Sequence, residues 1–188
     1  MDEFNYLAVL ISIILGLGIT QLLTGVGRLI NARERVRWYW PVAAWACFLL
    51  VIHVQTWWAM FGLRQHRDWD FLGFLVVLLQ PILLYLISAL IFPDWGAQAS
   101  EVDLRANYYA HARWFFGLIM AVIVVSLLRD IVLEGKLPAP LNTGIQLVFF
   151  ALGAVAAFTR REWFHKLLIA VNALLYSVYI VTLFARLR

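Results

Sequence analysis

His53 is the residue here whose chemistry is hardest to hide. It lies near the middle of an apolar run from Tyr39 to Gly62, where an imidazole needs a hydrogen-bond partner or a water-filled cavity. Gln55 shares that run but not the same helix face. Gln80 directly precedes Pro81 in a second apolar run; a proline inside a helix frees a carbonyl one turn earlier, which a packed neighbour or a bound ion can satisfy. Asn142 with Gln146, and Asn172 with Tyr176, are single-turn polar pairs at i,i+4. Together with Gln21 and His53 they are candidates for one polar interior.

The first apolar run carries a polar face of its own. Ser12, Gly16, Thr20, Thr24 and Arg28 fall four apart, with Gly18, Gln21, Gly25 and Gly27 beside them, so one side of this helix is small and hydrogen-bonding. Such a surface admits a second helix at close range, which implies a homo-oligomer, or it lines a wet pathway. On the second reading Ser12, Thr20, Gln21 and Thr24 line the path, and His53 or Gln80 forms its polar constriction.

A different chemistry is written between residues 100 and 113. Ser100 followed by Asp103 reads as a capping box, and Glu101 with Arg105 as an i,i+4 ion pair. A helix over about 101–113 is expected to lie along the inner surface, carrying Tyr108, Tyr109 and His111, until Trp114 turns the chain into the membrane. Asp103, Arg105, Tyr108, Tyr109 and His111 are the residues that would dock a partner there.

Several chemistries find no support. Ser12, Ser88, Ser100, Ser126 and Ser177 all lie outside a G-x-S-x-G context, and neither H-E-x-x-H nor a glycine-rich phosphate loop occurs. A bis-histidine haem site has only His111 and His165 at a shared depth. No catalytic residue, metal ligand or cofactor is expected. Arg129, Asp130 and Glu134 sit in the last turns of an apolar run and read as a solvated cluster. No Asp or Glu falls near the centre of any run, which argues against a pump built on a central carboxylate. Cys47 reads as a small buried hydrophobe.

The elements that must position these residues follow from composition. The chain has 188 residues, 64% hydrophobic and 14% charged, an apolar excess that a domain of this size cannot hide from water. Lipid is the solvent this composition requires. Spanning it takes about 20 apolar residues per helix, and runs over 4–27, 39–62, 69–92, 114–133, 141–158 and 163–185 qualify. The fold class is therefore an all-α, polytopic membrane protein: one domain over 1–188, a bundle of six transmembrane helices with short loops and one interfacial helix. The first run follows acidic Asp2 and Glu3 and is too long for a signal peptide. Trp38, Tyr39, Trp40, Trp57, Trp58, Trp69, Trp95, Trp114 and Trp163 mark run ends, as an interfacial aromatic belt does.

The net charge of +4 does not point to nucleic acid, because Lys and Arg sit in short connectors. With the amino terminus outside, nine of them fall inside and six outside, which favours the plasma (inner) membrane with both termini outside. Shifting the chain by 94 positions aligns Asp68 with Glu162, Trp69 with Trp163 and Tyr85 with Tyr179, a partial match between the third and sixth runs of the kind inverted repeats leave. The functional expectation is a passage, channel or facilitator, for an ion or small solute. A membrane sensor or subunit docking a partner through 100–113 is the alternative, and an intramembrane enzyme or redox carrier the third reading.

Overall fold

A computed structural model describes residues 3–66, 68–94 and 101–184. Six helices account for most of it: α1 (Glu3–Asn31), α2 (Trp40–Ala59), α3 (Phe71–Ile91), α4 (Leu104–Glu134), α5 (Pro140–Phe158) and α6 (Glu162–Tyr179). Each is long and apolar enough to cross a membrane. The chain is thus an all-α, multi-pass bundle. A 3-10 segment over Met60–Gln65 extends α2, and a π-helical turn over Ile180–Phe184 extends α6.

The helix expected over 101–113 is present but is not a separate interfacial element. It begins at Leu104 and runs through Trp114 without a break to Glu134, because no proline interrupts this stretch. At 1.5 Å per residue its 31 residues span about 46 Å, against about 30 Å of hydrocarbon. The helix is therefore about 16 Å longer than the hydrocarbon requires. Asp103 serves as its N-cap, accepting from the Ala106 amide at 2.9 Å. Ser100, the other half of the expected capping box, lies outside the described residues.

Two short strands, β1 (Val36–Arg37) and β2 (Val102–Asp103), pair in parallel and tie the connector after α1 to the one before α4. We refer to this as the strand end of the bundle, and to the opposite end as the terminus end. Glu101 pairs with Arg37 at 2.6 Å, while Arg105 pairs with Glu162 at 2.8 Å. These long-range pairs replace the expected Glu101–Arg105 pair. Both are largely solvated, so each contributes no more than about 1 kcal/mol and mainly fixes register between connectors.

Helix α3 packs closely on α1 and α4, and α4 in turn on α5; α2 and α6 close the bundle more loosely. The buried seam of α1 is Leu7, Ile11, Leu15, Leu22 and Leu29, with Gly18 and Gly25 filling the positions between. At Gly25 the ring of Phe92 occupies the space a Cβ would need. Helix α4 ends where Gly135 adopts φ 68°, a left-handed conformation that glycine reaches without steric cost. The aligned third and sixth runs hold unlike places, since α3 is central and α6 peripheral.

Trp38, Trp40, Trp57 and Trp163 are exposed at helix ends, as a belt requires, and Trp114 is exposed ten residues into α4. Tyr39 departs from that expectation: it is buried among other tyrosines at the strand end. Cys47 also departs from it, facing outward from α2 rather than into the core. Its run is apolar all round, so the sequence offers no contrast between inner and outer faces.

Candidate functional site

Between α2, α3, α4, α5 and α6 lies an interior cavity of about 130 Å³. Most of its wall is apolar, supplied by residues such as Leu49, Leu84, Ile119 and Phe149. Into it project the polar side chains of Gln55, Thr56, Gln80, Ser126, Gln146, Asn172 and Tyr176. Among the described residues, no Asp, Glu, Lys, Arg or His lines it.

Some of these polar groups satisfy one another. The Tyr176 hydroxyl donates to Gln55 Oε1 at 3.1 Å, and Gln146 Nε2 donates to Asn142 Oδ1 at 3.0 Å. Two others are left over: Thr56 Oγ1 and Gln146 Oε1 are buried without a hydrogen-bond partner among the described residues. Leaving a buried polar atom unsatisfied costs about 1–3 kcal/mol. Both residues line the same cavity.

Each end of the cavity has its own structure. Toward the terminus end, Arg129 forks onto a single oxygen of Asp130, with Nε and Nη2 at 2.9 and 2.7 Å, and Nη1 reaches Gln80 Oε1 at 3.5 Å. Arg129 and Asp130 also line an outer cleft with His66 and Glu134. The pair therefore stands between the cavity and that vestibule, and it is mostly shielded rather than freely solvated.

Toward the strand end the cavity is stopped by aromatic rings. Trp45 meets Phe115 and Phe116 edge-on, at 5.2 and 5.6 Å between centroids. Beneath them His165, fully buried, donates from Nε2 to the Thr159 carbonyl at 2.7 Å. That assignment leaves Nδ1 as an acceptor, and the Tyr108 hydroxyl donates to it at 2.9 Å. The Tyr39 and Tyr109 hydroxyls meet at 3.1 Å beside this pair. Burial, reinforced by the bond to Tyr109, pushes the Tyr39 phenol well above the ordinary tyrosine range.

The residues singled out from sequence divide between these places. Gln80 lines the cavity. His53 does not: it is fully buried where α2 crosses α1 and α3, with Nδ1 donating to the Leu49 carbonyl at 2.7 Å and Nε2 3.4 Å from Ser88 Oγ. Ser12, Thr20, Gln21 and Thr24 all lie on the exposed outer face of α1, away from the central cavity. Thr20 donates back to the Gly16 carbonyl, and Ser12 accepts from Trp57. Among the residues expected to dock a partner, Asp103 caps α4, Arg105 pairs with Glu162, Tyr108 faces the core, Tyr109 bonds Tyr39, and His111 bonds the Asn107 carbonyl. His165 has both ring nitrogens engaged, so it does not face His111 as a haem pair requires.

Sequence reasoning missed Thr56, Ser126 and Tyr179 as cavity residues. The α4 wall follows a helical face of Ile119, Val122, Ile123 and Ser126, but the opposite face of that helix is equally apolar, so periodicity gave no signal. Only the polar atoms themselves marked the site. Comparison with protein-family models, with curated proteins and with solved structures finds no match to this chain.

Proposed function

We propose that this multi-pass membrane protein is a small facilitator that binds and passes an uncharged, hydrogen-bonding solute through the cavity between α2 and α6. The observation that carries the proposal is the pair of unpartnered buried atoms, Thr56 Oγ1 on α2 and Gln146 Oε1 on α5, in two residues that line the one cavity. A solute bearing a donor and an acceptor satisfies both while its carbon skeleton rests on Leu84, Ile119 and Phe149. An ion is disfavoured, because the lining offers no countercharge to offset its desolvation.

In this reading the Arg129–Asp130 pair and Gln80 form the constriction at the terminus end, and the rings of Trp45 and Phe116 close the strand end. Passage in this reading requires those rings to part. The path runs within one chain, so assembly into oligomers is not needed. The nine positive residues expected at the strand end, against six at the other, support a cytoplasmic strand end.

Stopped-flow light scattering on proteoliposomes tests the proposal directly. After an osmotic step with a small uncharged solute such as glycerol, urea or formamide, vesicles holding the protein re-swell faster than empty ones, and Gln146→Leu returns the rate to the empty-vesicle value. Equal rates for filled and empty vesicles with every such solute, or a rate untouched by Gln146→Leu, overturn it.

A further inference from the structure

On the flank of the bundle, a second cleft, of about 160 Å³, lies where α1 and α3 end together near the strand end. Gln21, Thr24 and Arg28 of α1 line one side, and Ser88, Phe92 and Asp94 the other. Arg28 and Asp94 carry opposite charges in this one space, yet no ion pair joins them, and neither pairs with another described residue. The Phe92 ring is buried and seated in the notch over Gly25. One turn deeper along each helix, Leu17 and Tyr85 are exposed.

A ligand suited to this cleft has a negative and a positive group a few bonds apart, with an apolar tail leaving toward the membrane interior. We propose that the cleft seats the headgroup of an aminophospholipid. The phosphate sits on Arg28, with Thr24 and Gln21 as further donors, and the ammonium sits on Asp94. Arginine meets phosphate through two parallel N–H groups, and a primary ammonium donates hydrogen bonds to a carboxylate that a trimethylammonium cannot make. That difference selects ethanolamine over choline. An anionic headgroup such as phosphatidylglycerol satisfies Arg28 but leaves Asp94 unmatched. The acyl chain follows the exposed side chains of Leu17 and Tyr85, which a water-soluble phosphate ester has no means of using. This site is separate from the interior cavity, and its occupancy does not depend on solute passage.

Native mass spectrometry of the purified, delipidated full chain, titrated with chain-matched phosphatidylethanolamine, phosphatidylcholine and phosphatidylglycerol, provides the test. Phosphatidylethanolamine is expected to bind about tenfold more tightly than the other two, the scale of one charge-assisted hydrogen bond. Arg28→Gln lowers its binding about tenfold, and Asp94→Asn abolishes the preference over phosphatidylcholine while leaving phosphatidylcholine binding unchanged. Gly27→Ala, where an added Cβ meets nothing within 4 Å, leaves all three lipids as they were. Circular dichroism of each variant confirms that the helices are retained. Equal binding of the three lipids, or no effect of Arg28→Gln, overturns the proposal. So does soluble glycerophosphoethanolamine binding as tightly as the lipid.

Discussion

A Cβ on Gly18 would overlap the imidazole of His53, so the first and second helices meet through a glycine notch that receives a buried histidine. The ring enters that notch with Nε2 leading, while Nδ1 stays bonded to the Leu49 carbonyl. Gly18→Ala therefore has to displace the ring or separate the helices. Overpacking of this kind costs about 1–3 kcal/mol. Gly16→Ala, on the same helix but with open space around it, is expected to be neutral or slightly stabilising. Thermal unfolding in detergent, followed by circular dichroism, separates the two variants.

The strand end supplies a second test. Removing the Tyr108 hydroxyl as Tyr108→Phe leaves Nδ1 of the fully buried His165 without its donor, at a cost of about 1–3 kcal/mol. In a His165→Phe background the same change costs much less, because no acceptor remains to be orphaned. A double-mutant cycle on unfolding free energy should thus show coupling of about 1 kcal/mol or more.

Tyr39 makes the bundle sensitive to strong base. Its folded phenol titrates above the ordinary value near 10, because burial and Tyr109 both disfavour the phenolate. A group whose folded pKa is raised contributes stability below its unfolded pKa and loses it as pH rises beyond. Between pH 10 and pH 12 the protein should therefore lose up to about 1.4 kcal/mol per pH unit through this residue. Melting curves of Tyr39→Phe should show a shallower loss over that interval than those of the unaltered chain.

The cavity predicts an inversion of the usual rule for polar deletions. Thr56→Val removes an atom that has no partner among the described residues, so it is not expected to destabilise the empty protein, and a gain of up to about 2 kcal/mol is consistent with the relief of an unsatisfied buried group; Gln146→Leu also removes the bond from Nε2 to Asn142, which offsets that gain. Solute passage, in contrast, should fall. Unfolding measured alongside vesicle flux checks both halves; a loss of stability of more than 1 kcal/mol in Thr56→Val would show that its hydroxyl is satisfied after all.

The bundle itself was legible because lipid solvation imposes a simple rule, long apolar runs broken by charged or Pro- and Gly-containing connectors. Helix ends were less so. Nothing in the sequence distinguishes a helix that turns at Trp114 from one that runs straight through it. The polar face of α1 was visible, but its orientation was not: in water polarity points outward, whereas in a membrane the same pattern is compatible with a core, a neighbouring helix or the bundle's flank. Here Leu15, Leu22 and Leu29 took the buried seam, and Thr20 and Thr24 were left outside. Gln146 and Asn172 were read as members of a polar interior and do line the cavity. Their companions Thr56 and Ser126 were hidden among apolar neighbours.

Water access to the cavity tests the central claim most directly. In a Cys47→Ser background, a cysteine placed at Ser126 faces the cavity, while one placed at Leu128 lies at almost the same depth on the outer, exposed side of α4. Treated in proteoliposomes with a small water-soluble thiol reagent, Ser126→Cys should be modified and Leu128→Cys should not. Equal and negligible reactivity at both positions would mean that water does not reach the cavity, and no hydrogen-bonding solute would follow it there.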